Sequence, residues 1–347
     1  MREGNRRVPA ARRRPMEYER IVTHTDFDGV VSAALCSSVF GCDTFVFTGP
    51  NAIARAEISI GPRDVICDLP YPLECGMWFD HHPGNREALA LRGIDPATIP
   101  GRLDETKRSC ARVIYEHFTQ LGKELAPWFA ASVAEADVID SFDYRSVEEW
   151  RRETPGKLVD MSLKAYQPTP REVTKYLNHL ARLVREYPLE RVLKDGEVAT
   201  RIERYREEEK RMLDFIGKFV SFLQEDSGRE LIVLDFTPLA KPPRILKNLA
   251  YLVYPEALGV LTVSSLMRGG RKTNHLSFSM SLSMNMTGRE HGKDLGDIMR
   301  SLNIGDGHRG AAAGTVHCDS KDEMLRTKKR IVSQIWKLWK SAERKSA

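Results

Sequence analysis

The chain has 347 residues, a formal net charge of +5, 41% hydrophobic residues and six cysteines. That length is enough for two domains with separate cores, and no apolar run is long enough to span a bilayer. Cys36, Cys42, Cys67, Cys75, Cys110 and Cys318 form neither a CxxC pair nor a framework of short spacings, which argues for reduced thiols in a cytoplasm and against a structural zinc site.

The charge is local. Residues 1–16 hold Arg2, Arg6, Arg7, Arg12, Arg13 and Arg14 against Glu3, a surplus equal to the whole +5, so residues 17–347 are formally neutral. This Arg/Pro-rich opening predicts a disordered arm, residues 1–17. It could touch nucleic acid or resemble a transit peptide, although Glu3 and the missing serines speak against the latter. Met16 is a second candidate start. The neutral body offers no global field for a long polyanion.

Between residues 19 and 150, short strand-like runs alternate with helical stretches, the pattern of a parallel sheet covered by helices. The expected strands are Arg20–Thr23, Thr44–Phe47, Val65–Cys67 and Met77–Phe79. The expected helices are Val30–Phe40, ending at Gly41, then Ser109–Leu121 with a serine cap, then Pro127–Ile139, apolar nearly all round. From Pro170 the composition shifts to charged helix. Val198, Ile202, Tyr205, Met212, Ile216, Phe219 and Leu223 fall at alternating steps of three and four, with Glu209 off pattern. They predict one amphipathic helix of about seven turns, a connector between domains; the alternative is a coiled-coil seam of a homodimer.

After Ser227 strands return at Leu231–Leu234, Leu258–Val263 and Leu276–Met284. In the last, Leu276, Phe278, Met280, Leu282 and Met284 alternate with serines, which predicts a half-buried strand with one polar face. Asp294–Leu302 reads as a helix and Asn303–Val316 as a Gly/Ala-rich loop. A basic amphipathic helix near Asp322–Trp339, with the stripe Leu325, Ile331, Ile335 and Leu338, closes the chain. Packing is its default role, and membrane-surface or nucleic-acid contact the alternative.

Three of the apolar runs lead into acidic or histidine residues. Ile21-Val22 precedes His24, Asp26 and Asp28, at alternate positions that an extended segment would project to one side. Val65-Ile66-Cys67 precedes Asp68, and Met77-Trp78-Phe79 precedes Asp80, His81 and His82. Ligands of open α/β sheets bind beyond the carboxyl ends of strands, so three strands would deliver these groups to one edge. A single Asp/Gly-rich turn is often only a solvated loop; three in register predict a divalent-cation site, and the oxygen-rich donor set suits manganese or magnesium.

The order His-x-Asp-x-Asp-Gly, then a lone Asp ending a strand, then Asp-His-His, resembles the signature of the DHH phosphoesterase superfamily. That group includes RecJ exonucleases, NrnA-type nanoRNases and phosphoadenosine phosphatases, and family II pyrophosphatases. Ala136-Asp137-Val138-Ile139-Asp140 is similar to a further motif, with Asp137 fitting the RecJ form and Asp140 the nanoRNase form. Gly305-Asp306-Gly307-His308-Arg309-Gly310-Ala311-Ala312-Ala313-Gly314 resembles the glycine-histidine loop of the family's associated C-terminal domain, with Asp306 replacing a glycine. The strand Ser277-Phe278-Ser279-Met280-Ser281 lacks the family's usual arginine, for which Arg268 or Arg271 could substitute.

The resemblance implies an α/β fold: a parallel-sheet catalytic domain over residues 18–190, a helical linker over 191–226, and a smaller α/β substrate-binding domain over 227–347, with the active site in the interdomain cleft. It implies that His24 and Asp26 hold one metal, Asp28 and His81 the other, and that Asp68 bridges them while Asp137 or Asp140 completes the shell. Asp80 would orient an imidazole, His82 would face the phosphate or the nucleophile, and Gly305, Gly307, His308 and Arg309 would bind substrate. The implied enzyme is a manganese-dependent hydrolase with two ions, magnesium or cobalt being alternatives, that attacks through a metal-bridging hydroxide. Short oligonucleotides or 3′,5′-nucleoside bisphosphates are the expected substrates. Single-strand exonuclease, exopolyphosphatase or pyrophosphatase activity, and a non-catalytic nucleotide sensor, are the alternatives.

Overall fold

The computed structural model describes residues 17–286 and 291–341. The Arg-rich opening and its expected disorder, residues 1–16, lie outside the described residues. The described chain divides into two compact units. One holds the chain up to Ser141 with Pro155–Leu163 and Gln167–Ala199; the other holds Phe142–Thr154, Lys164–Tyr166 and the chain from Thr200.

In the first unit β1 (Arg20–Thr23), β2 (Phe45–Phe47), β3 (Asp64–Cys67), β4 (Met77–Asp80) and β5 (Gly101–Leu103) form an all-parallel sheet in the order β2-β1-β3-β4-β5. The first four are the apolar runs expected as strands, each within one residue of its expected bounds. β5 has no apolar run to announce it. Both faces of the sheet are covered, which is why its strands lack polar alternation. Val22, Ile66 and Trp78 pair across one row and pack with Leu69, Leu89 and Ile99 on one face. On the other face Cys67 Sγ lies 3.6 Å from Cys36 Sγ of the helix Phe27–Phe40. That helix is buried from Phe27 through Ser37 and ends at Gly41, whose left-handed φ of 67° lets its N–H reach the Ser37 carbonyl. It packs against the helices Cys110–Gln120, Phe129–Ser141 and Pro170–Glu186. Each aliphatic side chain fully buried there contributes about 1.5–3 kcal/mol.

In the second unit β6 (Val220–Ser221), β7 (Leu231–Asp235), β8 (Gly259–Arg268), β9 (Arg271–Leu282), β10 (Gly305–His308) and β11 (Ala311–Val316) form a mixed sheet in the order β10-β11-β9-β8-β7-β6. Only β7 and β8 run parallel. Leu276, Phe278 and Met280 of β9 enter one core with residues of the helices Leu295–Ser301 and Lys321–Ser341. The alternate serines face the other way, where Lys247 Nζ donates to Ser279 Oγ at 2.5 Å.

Three expectations change. The long amphipathic helix runs Gly196–Phe219 and stops short of Leu223, because Val220 and Ser221 pair with Leu234 and Val233. Glu209 keeps its place in the stripe, 7% exposed, because Arg151 Nη1 meets it at 2.8 Å. The Asn303–Val316 stretch is a β-hairpin: a Cβ on Gly305 or Gly307 would overlap the carbonyl oxygens of Ala313 or Ala311, so the small residues serve close strand approach. In the terminal helix Leu325 is 44% exposed and the buried face is carried by Met324, Ile331, Ile335, Trp336 and Trp339. Trp339 turns that face inward by donating from Nε1 to Glu230 at 3.0 Å beneath the Lys293 ammonium.

Candidate metal centre

Strand register sets the first step of the site. Thr23, Cys67 and Phe79 stand level across β1, β3 and β4, so His24, Asp68 and Asp80 follow on one row at the carboxyl edge. β1 and β3 flank the point where the strand order reverses, the usual position of a ligand crevice. The stretch after β1 is not extended throughout, as alternation would have required. Asp26 caps the following helix, its Oδ1 accepting from Gly29 N at 2.9 Å, and Asp28 lies in the first helical turn. Gly29 permits this tight entry, since a Cβ there would overlap the His24 carbonyl oxygen. Asp68 takes the left-handed conformation, φ 57°, which is uncommon outside glycine but tolerated by aspartate.

Three overlapping groups of side chains result, each with ligand atoms within 4.8 Å of one another: His24, Asp26 and Asp68; Asp28, His81 and Asp140; Asp68, His81 and His82. Asp68 sits between the first two, with Oδ2 3.6 Å from His24 Nδ1 and Oδ1 3.6 Å from His81 Nε2. Both distances are too long for hydrogen bonds. Among the described residues, neither buried Asp68 oxygen nor the buried His81 Nε2 has a hydrogen-bond partner. Such atoms are costly to bury unless another group engages them. Carboxylate and imidazole lone pairs converging in this way fit divalent cations.

The surrounding shell is fixed. His81 Nδ1 faces the Lys107 carbonyl at 3.4 Å, an acceptor that requires Nδ1 to donate and leaves Nε2 as the lone pair when the ring is neutral. Asp28 is 1% exposed, and its two oxygens accept from the Cys110 and Ala111 N–H groups at 2.7 and 2.8 Å, the first turn of a helix. Asp80 is fully buried; Oδ1 lies 2.9 Å from His82 Nδ1, and Oδ2 accepts from Asn85 Nδ2 at 2.6 Å. Asp140 Oδ2 comes to 3.3 Å from His81 Nε2. Asp137 does not join any group: it accepts from Ser109 Oγ at 2.7 Å and pairs with Arg112 Nη2 at 2.6 Å. Lys107, Cys110, Ala111 and Asn85 were not anticipated as supporting groups. The serine cap at Ser109 was the one available signal, since it marks where a helix offers unpaired N–H groups.

Electrostatics agree with the geometry. Burial disfavours a charged His24, yet its contact with Asp26 and the charges of Asp26 and Asp68 raise it to about 10. His81 is likewise raised to about 10, burial being overcome by Asp68, Asp28 and Asp140. Burial, with Asp68 and Asp26 adding to it against His81, lifts Asp140 to about 7. Fully buried Asp28 also rises, by burial first and then by Asp68. Burial pushes Asp68 up, but the facing His24 and His81 hold it below the usual carboxylate value. The cluster therefore attracts positive charge, and protons occupy it where cations would compete.

In the second unit Gly305 and Gly307 lie in β10 and Arg309 follows at the hairpin turn, its guanidinium donating to the His291 carbonyl. His308 ends β10; its side chain is outside the described part. Arg268 and Arg271 pair across the β8–β9 turn, at the far end of β9 from Ser279 and Ser281.

No family model matches the chain, and no curated protein matches its sequence. Solved structures are similar to it. A pGpG-specific phosphodiesterase, PggH, from Vibrio cholerae is 21% identical, with a TM-score of 0.67 over 91% of this chain and 98% of that one. An exopolyphosphatase-related protein from Bacteroides fragilis is 10% identical, with a TM-score of 0.48 over 93% of this chain and 94% of that one. RecJ in complex with Mn2+ from Thermus thermophilus is 14% identical, with a TM-score of 0.48 over 93% of this chain but 52% of that one. With the all-parallel five-stranded sheet, the second mixed sheet and the motif residues gathered at one sheet edge, the chain has the fold of the DHH phosphoesterase superfamily.

Proposed function

We propose that the chain is a manganese-dependent phosphoesterase that hydrolyses small phosphorylated substrates, with short oligonucleotides and 3′,5′-nucleoside bisphosphates first. The observation that carries this reading is the unpartnered trio of Asp68 Oδ1, Asp68 Oδ2 and His81 Nε2, buried among further carboxylates. His24, Asp26 and one Asp68 oxygen would hold one cation; Asp28, His81, Asp140 and the other Asp68 oxygen would hold a second. Bound there, divalent cations supply a nucleophile at neutral pH and positive charge for the phosphoryl oxygens.

The remaining residues orient and protonate. Asp80 fixes the His82 ring through Nδ1 and raises its pKa, partly against burial, which favours the charged ring whose Nε2 would offer a proton to a phosphoryl or leaving-group oxygen. The His82 side chain is 52% exposed, as a group meeting substrate must be. His308 and Arg309 are assigned to the substrate phosphate from their place at the β10–β11 turn. The six thiols, all free, suit a reducing cytoplasm.

The test is turnover of the purified full chain with manganese across a linear dinucleotide, a 3′,5′-bisphosphonucleoside, an end-labelled single strand and polyphosphate. The dinucleotide is included because the name of the Vibrio protein specifies one. Hydrolysis of the first two, lost on chelation and in Asp68→Asn, is expected. Binding of nucleotide without release of any product in manganese would overturn the reading in favour of a sensor.

A further inference from the structure

A cavity of about 300 Å³ opens in the second unit, away from any residue of the metal cluster in sequence. Three segments of that unit build it: Lys164 and Tyr166, the helical stretch Glu208–Phe215, and the loop Pro243–Leu246 beyond β7. Its volume lies at the low end of small-molecule pockets. The lining divides into an apolar floor and a cationic rim.

The floor is Met212, Phe215, Ile245 and Leu246. Phe215 is braced from behind, stacked on Phe219 with ring centroids 4.4 Å apart and touching Phe236 at 6.0 Å. At the rim Tyr166 is 54% exposed, although its backbone is held on both sides. Its N–H donates to Glu208 Oε2 at 2.9 Å, and its carbonyl accepts from Arg204 Nη1 at 3.3 Å. Arg244 lies 5.8 Å from the Tyr166 ring centroid, and its Nη2 donates to the Lys164 carbonyl at 2.8 Å. An exposed aromatic ring with a fixed backbone and a guanidinium at its face is a ready surface for stacking a flat π system.

Charge narrows the ligand. Lys164, Arg211 and Arg244 line the cavity against one carboxylate, Glu208. Arg211 has no acidic partner among the described residues. A flat apolar wall with a surplus of positive charge complements a planar aromatic body bearing phosphate. We infer that this cavity binds a nucleotide, the base stacking on Tyr166 above Met212 and Phe215 and the phosphate meeting Arg211 and Arg244. The occupant is a free nucleotide, and the second arm of the test separates it from the base of a substrate, which shares this chemistry.

The binding arm of the test needs no catalysis. GMP and AMP are titrated into the full chain in EDTA, followed by calorimetry and by ligand-observed NMR, with ribose 5-phosphate as the base-free control. At least one nucleotide should bind and ribose 5-phosphate should not. Tyr166→Ala should weaken the nucleotide about tenfold, and Arg244→Ala should weaken it and leave the remaining binding less sensitive to salt than that of the wild type. Met212→Trp, which fills the floor, should block binding while circular dichroism stays unchanged, so a folding defect in one variant does not decide the matter. No nucleotide binding by the wild type, or binding untouched by all three substitutions, overturns the inference.

The second arm locates the source and rests on the proposed phosphoesterase activity. If the occupant is a substrate base, Tyr166→Ala raises KM for a dinucleotide and leaves kcat unchanged. If it is an effector, KM is unchanged and the response of turnover to added GMP or AMP is lost. Inactivity of the wild type would sink the phosphoesterase reading alone, since the titration in EDTA stands without it.

Discussion

Asp68→Asn isolates the centre of the metal cluster. Asparagine keeps the shape of the side chain and tolerates the left-handed backbone at φ 57°, so one negative charge and one acceptor oxygen are what change. Each cation that the proposed site binds should stabilise the first unit by about 2.7 kcal/mol at a hundredfold excess over its dissociation constant. For a unit of this size that corresponds to a rise in Tm of about 5–11 °C, measured by calorimetry with and without manganese. The two Asp68 oxygens face separate ligand groups, at 3.6 Å from His24 and from His81. The substitution should therefore remove the manganese-dependent rise for both ions, together with turnover. The Tm in EDTA should also fall, because Asp68 is one of the carboxylates that raise His24 and His81, so the deciding quantity is the rise that manganese adds within each variant. A variant that keeps the wild-type rise in Tm would refute the placement of Asp68 between two cations.

Asp140→Asn should weaken manganese binding at least tenfold, whereas Asp137→Asn should leave it intact and lower stability by about 1–3 kcal/mol, since Asp137 holds Arg112 and Ser109; equal metal affinity in the two variants would contradict the site. Gly29→Ala forces a Cβ against the His24 carbonyl and should cost about 1–3 kcal/mol as well as metal affinity, read from chemical denaturation and manganese titration. In the metal-free protein His24 and His81 are raised to about 10 from 6.5, so their contribution to stability is complete below pH 6.5 and is lost as pH rises through about 10. Cations compete with those protons, and manganese affinity should climb from pH 6 towards pH 9 with proton release, measured by calorimetry in buffers of different ionisation heat. Binding without proton release would show that the imidazoles are not displaced from their protons.

The gathering of acidic and histidine side chains at the sheet edge could be read from the sequence where strand ends made it and could not where helix rotation did. His24, Asp68 and Asp80 each follow an apolar run, and the parallel register brings such positions level without any knowledge of side-chain packing. Asp137 and Asp140 lie three residues apart on one helix, about 300° of turn, and the roll of that helix decides between them. The roll is set by burial of Phe129, Val133 and Ala136, a tertiary outcome with no local signature. Asp28 adds a second case: its two donors come from a helix more than eighty residues away, and no spacing could announce them. The second unit was harder for a different reason. Strand patterns are recognised by alternating side chains, yet β10 and β11 are held by close backbone approach, so Gly305, Gly307 and the alanines around them looked like a loop. Their smallness is explained by packing, which shifts any phosphate-binding role at that hairpin onto the side chains at its turn rather than onto the glycines.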